Sequence, residues 1–320
     1  MNLSTSYLGL PLRSPVMPGA CPLTGRIDTI RELADAGAGA VVLPSLFEEQ
    51  VLSAQTGPLP DERPIAPGSD AFFFTPREYL EHLYQATLAV DIPVIASLNA
   101  RNLDSWIDYA RQIEESGAHA LELNLYFLPT DVSTAGEEVE RRMIDIVEAV
   151  RATTTLPLAV KLSPFFSLFP HFADRLAHLG VQGLVLFNRL YQPDINVRQR
   201  TARPKLELSD PSELRLRLRW LAILRPHLKV SLAATGGVHS VNDLVKALLV
   251  GADAVQVVSC LLRFGTTHLQ FLVRGLEEYL EKHGLTSLGA IRGALSLGHC
   301  ANAEAVERAD YLKTLQLWGS

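Results

Sequence analysis

The stretch LAVKLSPFFSLFPHFADRLAHLGVQGLVLF, residues 158–187, contains the unit that decides the fold. It begins with a short apolar run at 158–161, continues through a segment of helical periodicity at 170–179, and reaches a second apolar run at 183–187. Gly180 precedes the second run, at a position where a glycine typically ends a helix. Runs this short and this apolar are typical of parallel strands that are buried on both faces. The stretch therefore predicts a strand, a helix and a second strand parallel to the first.

The same unit recurs along most of the chain. Further apolar runs lie at 15–18, 40–43, 93–97, 120–124, 230–234 and 254–258. Helical periodicity also covers 26–36, 103–116, 136–153, 211–225 and 241–250. About eight strand–helix units predict an α/β fold of the (β/α)8 TIM-barrel type. The rival fold, an open doubly wound sheet, usually has a G-x-G-x-x-G turn after its first strand, and residues 19–25 lack that pattern.

Three segments fall outside the repeated unit. Residues 3–16 contain two short runs around a Gly-Leu-Pro turn, which predict an N-terminal hairpin that closes the bottom of the barrel. Residues 45–75 and 188–208 are long and rich in polar residues and proline. Long loops in a compact fold are usually functional, and both follow strands, so we expect them at the C-terminal mouth. Since no linker separates the units, residues 1–320 are predicted to form a single domain.

The composition excludes several classes of protein. A hydrophobic fraction of 48% and a charged fraction of 20% are typical of a globular chain rather than a disordered one. The net charge of −6 argues against a nucleic-acid partner. There is no secretory signal and no apolar run long enough to span a membrane, and three scattered cysteines fit a reducing compartment. We therefore predict a cytoplasmic protein without a membrane segment, and the His and Cys spacings predict no metal site.

Two consecutive turns predict a phosphate site. The run at 230–234 leads into Thr235-Gly236-Gly237, and a helix is expected to begin near Ser240. The next run ends at Ser259-Cys260. Paired glycines let backbone N–H groups approach a phosphate closely, and a helix N-terminus adds positive potential. The turns after the last two strands of such barrels commonly bind phosphate, although either turn alone is also an ordinary tight turn.

Lys161 and three asparagines are expected to point into the same mouth. Lys161 ends a buried strand, where a cation needs a negative partner. It either stabilises the anionic form of a reduced flavin or makes only a structural ion pair. Asn99, Asn124 and Asn188 each follow a strand, and their amides can both donate to and accept from a planar heterocycle.

Arg215, Arg217 and Arg219 alternate with leucines in the helical segment 211–225. On a helix this spacing spreads the side chains around the outside of the barrel. We expect a solvated face or a contact between subunits, and not a binding site for nucleic acid.

Together these motifs resemble the dihydroorotate dehydrogenase family, especially its soluble class, over nearly the whole chain. The similarity is carried, in order, by residues 7–17, 122–125, 160–164, 235–238 and 251–257. It implies an FMN-binding barrel that acts on a CH–CH bond and passes a hydride between a small, pyrimidine-like substrate and flavin N5, as in pyrimidine biosynthesis. It also implies a homodimer.

The resemblance further implies roles for individual residues. Those expected beside the flavin ring are Gly19, Ala20, Ser45 and, at its N1 and C2 edge, Lys161. Those expected to contact flavin or substrate are Asn99 and Asn124, with Asn188 facing the substrate. Those expected to hold the phosphate are Gly236, Gly237, Ser259 and Cys260.

The chain departs from the family where a proton would be removed. The family has a cysteine or serine base soon after the asparagine that corresponds to Asn124, and Phe127 stands there in this chain. Losing a positioned base typically costs about 10² to 10⁴ in rate, so we predict that dihydroorotate is not oxidised efficiently. Tyr126 is the substitute of choice, and the loop hydroxyls of Ser133 and Thr134 are more often turn residues.

The phosphate turn departs as well, because Val258 replaces a glycine that is often found there. Two alternatives to a flavin oxidoreductase stay open. One is a barrel lyase or isomerase that uses Lys161 as a Schiff-base or general-base lysine on a phosphorylated substrate. The other is a protein that binds flavin without turnover, as Phe127 suggests.

Overall fold

The computed structural model describes residues 1–49, 74–100, 102–190, 192–203, 205–300 and 302–317. At its centre lie eight parallel strands, of which the second to the eighth are each hydrogen-bonded to the next in chain order, while the first pairs with the last. These strands are β3 (Val16–Pro18), β4 (Val41–Phe47), β5 (Val94–Asn99), β6 (Ala120–Asn124), β7 (Leu158–Leu162), β8 (Gly183–Leu186), β11 (Ser231–Thr235) and β12 (Ala254–Val257). Each overlaps a predicted run, so the predicted (β/α)8 barrel is confirmed.

The barrel comes close to closing between β3 and β4. The backbone N–H of Gly39, just before β4, donates to the carbonyl oxygen of Val16 at 2.8 Å. A Cβ atom on Gly39 would collide with the carbonyl oxygen of Ser14. Only glycine therefore lets these two chain segments approach closely enough to meet.

Helices cover the outside of the barrel. Those that the periodicity predicted are α1 (Ile27–Asp35), α3 (Leu103–Glu115), α4 (Gly136–Thr153), α5 (Phe169–His178), α6 (Leu214–Leu224) and α7 (Val241–Leu249). Those that it missed are α2 (Pro76–Ala89), α8 (Ser259–Phe264), α9 (Thr267–Lys282) and α10 (Ala303–Gln316). Helix α2 had a readable start signal, since Thr75 and Glu78 form a reciprocal capping box around Pro76.

The predicted N-terminal hairpin is formed by β1 (Thr5–Tyr7) and β2 (Leu10–Leu12), which pair antiparallel. Tyr7, Leu8 and Leu12 are buried in one apolar cluster with side chains from the barrel strands. Leu8 reaches so far in that a Cβ atom on Gly183 would collide with it. The hairpin therefore closes the barrel at the end opposite the strand C-termini, as predicted.

Of the two predicted long loops, the structure describes most of 188–208 and little of 45–75. Most of the predicted loop 45–75 lies outside the described residues. The loop 188–208 contains a second small hairpin, β9 (Asp194–Asn196) paired antiparallel with β10 (Thr201–Arg203). Residues from this loop line cavities at the C-terminal mouth, where the sequence placed it. Among the described residues, no helix combines the length and apolarity that a membrane crossing needs.

Candidate active site

Two adjoining cavities open at the C-terminal ends of the strands. We call the first the glycine-side cavity; it has a volume of about 280 Å³, and its walls include Lys161, Gly236, Gly237 and Ser259. We call the second the amide-side cavity; it has a volume of about 350 Å³, and its walls include Asn99, Asn124 and Tyr126. Asn188 and Arg189 line both cavities, so the two spaces meet at the end of β8. The predicted residues are thus brought together from the C-terminal ends of six different strands.

Lys161 extends from β7 into the barrel interior and is 8% exposed. Its Nζ lies 3.6 Å from Oε1 of Glu122, which is itself almost completely buried on β6. The amide Nε2 of Gln256 donates to the other carboxylate oxygen of Glu122 at 2.5 Å. Lys161 therefore has the negative partner that its burial demands, and it still lines the glycine-side cavity.

Polar atoms beside this ion pair lack hydrogen-bond partners. Among the described residues, Oε1 of Glu122, Oε1 of Gln256 and the phenol oxygen of Tyr7 are buried without one. Burial, followed by the charges of Glu122 and Asp253, raises the pKa of the Tyr7 phenol well above its ordinary value, which keeps it protonated. Gln256 also lines the glycine-side cavity, so its amide oxygen is available to a donor on a bound ligand.

The predicted phosphate turn has the backbone geometry that only glycine adopts easily. Gly236 and Gly237 have φ angles of 88° and 82°. The N–H of Gly237 donates to Oγ of Ser209 at 3.2 Å, whereas the N–H of Gly236 has no acceptor among the described residues. Ser259 begins α8, and Val258 before it provides no side-chain cap. Unsatisfied N–H groups from two turns therefore border one cavity.

Arg217 corrects the sequence analysis. We expected it on the outside of the barrel, but it is only 6% exposed and lines the glycine-side cavity. Its Nε donates to the carbonyl oxygen of Thr235 at 3.0 Å. Arg215 and Arg219 on the same helix are exposed, as expected. Because arginine and leucine alternate along α6, the sequence pattern does not show that Arg217 lies on the face that packs against the barrel.

The three asparagines form one connected group. Nδ2 of Asn99 donates to the carbonyl oxygen of Asn124 at 2.8 Å, and Nδ2 of Asn188 donates to Oδ1 of Asn124. Each of the three lines the amide-side cavity. These bonds fix the orientation of the amides and leave further donor and acceptor positions for a ligand.

Three of the predicted cofactor residues do not line either cavity. The hydroxyl of Ser45 is hydrogen-bonded to that of Ser97 at 2.8 Å. Gly19 faces Gln256 and Val258, and the chain reaches the glycine-side cavity one residue later, at Ala20. Cys260 is fully buried, and burial raises the pKa of its thiol to about 12. Cys260 therefore contributes its backbone at most, and its thiol is inert.

Tyr126 and Phe127 have different surroundings. Tyr126 lines the amide-side cavity beside the asparagines and is 37% exposed. Phe127 is not among the residues that line either cavity, and the guanidinium of Arg142 lies 4.7 Å from its ring centre. Ser133 donates to Asp131 within an exposed turn. Of the three substitutes for the base that were named from the sequence, Tyr126 lines the cavity, and Ser133 and Thr134 do not.

The cations of the amide-side cavity already have carboxylate partners. Nζ of Lys205 lies 2.6 Å from Glu207 and 3.8 Å from Asp194. A guanidinium nitrogen of Arg189 lies 3.4 Å from Glu213. In the described part of the chain, no cluster of His, Cys, Asp and Glu could hold a metal ion. The cavity therefore offers amide groups and paired charges.

Comparison with known proteins points to one family. The sequence model of the family described as Dihydroorotate dehydrogenase matches residues 68–280. The chain is 27% identical to the protein of Geotalea daltonii named "Dihydroorotate dehydrogenase B (NAD(+)), catalytic subunit", over 92% of this chain and 99% of that relative. It is 25% identical to the protein of the same name from Methanothermobacter thermautotrophicus, with coverages of 91% and 97%. It is 24% identical to "NAD-dependent dihydropyrimidine dehydrogenase subunit PreA" of Escherichia coli K12, with coverages of 96% and 80%.

Proposed function

The chain belongs to the dihydroorotate dehydrogenase family of oxidoreductases, and from that premise we propose that it is an FMN-dependent oxidoreductase. It exchanges a hydride between flavin N5 and a CH–CH bond of a small substrate with a pyrimidine-like ring. FMN, when bound, supplies the hydride chemistry, and the protein supplies binding, orientation and charge. The observation that carries the proposal is that one cavity contains both a buried cation, Lys161, and an unsatisfied glycine turn at Gly236.

The residues present fit this cofactor. A flavin mononucleotide needs a cation near the ring, a partner for the ring's polar edge and donors for a phosphate. The glycine-side cavity has Lys161, the unpartnered amide oxygen of Gln256 and the backbone N–H of Gly236. Bulkier residues at the turn would not be accepted, since a Cβ atom on Gly237 would lie 2.5 Å from the backbone nitrogen of Leu214.

Lys161 holds a positive charge at the position where negative charge develops when a ring beside it is reduced. Glu122 holds this ammonium group in place, with Nζ 3.6 Å from its carboxylate oxygen. A preorganised charge of this kind is worth about 10² to 10³ in rate in a water-excluded site. Gln256 fixes the carboxylate in turn. These three buried residues therefore work as one unit.

The amide-side cavity orients the substrate. Asn99, Asn124 and Asn188 are linked to one another and present amide groups to a planar ring that lies next to the glycine-side cavity. Tyr126 lines the same cavity and brings a phenol group to it. A phenol suits the delivery of a proton better than its removal at neutral pH. We therefore propose the direction of ring reduction, or a slow oxidation, for this site.

The ion pair of Lys161 also bears on the alternative of a Schiff-base lyase. A Schiff-base lysine needs its nitrogen free to attack a carbonyl, whereas Nζ of Lys161 is engaged by the buried carboxylate of Glu122 at 3.6 Å. This arrangement favours the oxidoreductase. We retain as predictions the single domain, the homodimer and the cytoplasmic location.

The decisive experiment is a visible absorption spectrum of the purified protein, followed by reconstitution with FMN. We expect flavin bands and their bleaching under anaerobic conditions by either dihydrouracil or dihydroorotate, with dihydroorotate slow. A colourless protein that cannot be reconstituted, but whose Lys161 is trapped by borohydride with a carbonyl substrate, would replace the proposal with the lyase. A yellow protein that no dihydropyrimidine reduces would support flavin binding without turnover.

A further inference from the structure

Arg217 is a buried cation that the redox chemistry does not use. It extends from α6 toward the glycine turn, and its side chain is 7% exposed. A guanidinium is almost never buried to this extent without a structural or binding role. The cavity it lines is the one expected to hold the cofactor.

Two of its three nitrogens are bonded to the backbone. Nε donates to the carbonyl oxygen of Thr235 at 3.0 Å, and Nη1 donates to the carbonyl oxygen of Glu213 at 2.8 Å. Nη2 lies 3.9 Å from a carboxylate oxygen of Glu213, which is too far for a hydrogen bond. In the part of the chain that is described, Nη2 makes no hydrogen bond. The guanidinium is thus held rigidly while one nitrogen retains its donors.

The free nitrogen faces the turn. Nη2 lies 3.0 Å from the place that a Cβ atom on Gly236 would occupy. Because Gly236 has no side chain, nothing on that residue separates the guanidinium from the space above the turn. An anion held by the N–H of Gly236 would therefore lie beside a fixed cation as well.

The local charge also favours an anion. Arg189 and Arg217 share one carboxylate, that of Glu213, at 3.4 Å and 3.9 Å. The charged residues that line this cavity are three cations and two carboxylates, so the cationic groups outnumber the anionic ones; they are Lys161, Arg189, Arg217, Glu207 and Glu213. The guanidinium of Arg217 stays charged although burial lowers its pKa, because the ordinary value is far above neutrality.

We propose that Arg217 binds the phosphate monoester of the cofactor and makes this protein selective for FMN over riboflavin. The inference rests on the proposed function. It accounts for how the site can tolerate Val258, whose side chain occupies a turn where a glycine would expose more backbone. The side chain of Arg217 thus supplies hydrogen-bond donors to the phosphate that the backbone at Val258 does not supply.

The test compares the dissociation constants of FMN and riboflavin for the flavin-free protein, measured by flavin fluorescence. Arg217→Met removes the charge and keeps most of the volume. We expect FMN to bind about 10- to 100-fold more weakly than in the wild type, while riboflavin affinity stays the same. The matched control is Arg215→Met on the exposed face of the same helix, which should change neither constant. Arg217→Lys should retain part of the preference.

A second variant covers the case that Arg217→Met does not fold. Glu213→Gln leaves Arg217 in place but removes the shared negative charge, so FMN should bind several-fold more tightly and riboflavin as before. Unchanged FMN affinity in both variants would overturn the inference.

The outcomes for the two proposals are distinguishable. A wild-type protein that binds both flavins equally rejects a role of Arg217 but leaves the flavin enzyme intact. A protein that binds neither flavin rejects the proposed function. If inorganic phosphate binds to that flavin-free protein and Arg217→Met abolishes the binding, the site serves a phosphorylated substrate, and selectivity for FMN is overturned.

Discussion

The two cavities at the barrel mouth are built in different ways. The glycine-side cavity rests on backbone turns at Gly236 and Gly237 and on charges that are buried and paired, such as Lys161 with Glu122. The amide-side cavity has three linked asparagines at its base, but its outer wall includes the partly exposed Tyr126. Most substitutions of the backbone turns and buried charges at the glycine-side cavity would destabilise the fold. At the rim of the amide-side cavity, a single substitution can alter the chemistry and leave the fold intact.

The two cavities also differ in how they match the family resemblance. At the first, Lys161 and the glycine turn match it and Val258 departs from it, whereas near the second Phe127 stands where a base is expected. Phe127 is not among the residues that line the cavity and lies beside Arg142 instead. We call the glycine-side cavity the proposed cofactor half and the amide-side cavity the proposed substrate half. Four experiments test this contrast, and the one with the largest expected effect comes first.

The largest effect is expected for Lys161→Met in the cofactor half. Without the cation the reduced flavin is less stable, and we expect its two-electron equilibrium constant to fall by about 100-fold, which is about 60 mV in midpoint potential. The unpaired carboxylate of Glu122 should also lower the free energy of unfolding by about 3 kcal/mol. Dye-equilibrium titration and urea denaturation measure the two quantities.

The double variant Lys161→Met/Glu122→Gln is the control for this pair. It removes both buried charges, so stability should largely return while the potential stays low. A Lys161→Met protein with a normal potential would show that the ammonium group does not face the ring.

The next effect compares the glycine turn with a glycine that lines neither cavity. Gly237→Ala places a Cβ atom 2.5 Å from the backbone nitrogen of Leu214 at a φ of 82°. We expect a loss of about 3 kcal/mol in unfolding free energy from strain and overpacking, and weak FMN retention. Gly136→Ala, at the start of α4, meets no atom within 4 Å and should be neutral or slightly stabilising. Similar losses in both variants would contradict the contrast.

The substrate half should respond in rate and not in cofactor binding. Tyr126→Phe removes the phenol oxygen at the amide-side cavity, and we expect anaerobic flavin reduction by dihydrouracil, or the reverse reaction with uracil, to slow by about 10-fold or more. The dissociation constant of FMN should not change. Phe127→Ala is the control, because that ring is outside the cavity. A slower reaction in Phe127→Ala, with none in Tyr126→Phe, would reverse the assignment.

The smallest effect is a pH dependence of stability at His82 on α2, which lines neither cavity. Nε2 of His82 carries a proton and donates it to the carbonyl oxygen of Thr24 at 2.9 Å. Burial lowers the pKa of His82, and the bond to Thr24 opposes this more weakly. The unfolded chain therefore takes up the proton first, and stability is complete above about pH 6.5 and falls as the pH drops below it.

Urea denaturation at pH 7.5 and pH 5 measures this slope. His82→Gln should flatten it, whereas His178→Gln, on the exposed face of α5, should leave it as it is in the wild type. An identical slope in His82→Gln would mean that other groups carry the pH dependence.

Much of the fold was predictable because its signals are local. The run predicted at 158–161 is β7 at Leu158–Leu162, and the segment predicted at 136–153 is α4 with the same bounds. Apolar runs and helical periodicity depend on neighbours in sequence, so one chain reveals them. Helix α2 was missed although its capping box was present, because its start adjoins the segment that was interpreted as a long loop.

Part of the site was predictable for a related reason. Lys161, Asn124 and Asn188 all follow strands, and parallel strands deliver their C-terminal residues to the same mouth. The contributions of Arg217 and Gln256 were not predictable in this way. One looked like part of a solvated helix face, and the other like an interruption of an apolar run.

The order of strands and helices, the barrel and the presence of a cation and amides at its mouth follow from the amino-acid sequence, because each depends on periodicity and position within a repeated unit. The tertiary structure alone decided which arginine of α6 is buried beneath Gly236, that Glu122 and Gln256 hold Lys161, and that Tyr126 lines the cavity while Phe127 does not. These contacts join residues that are far apart in the chain. Their geometry is set by how the helices and loops pack on the barrel, and local sequence patterns carry no record of it.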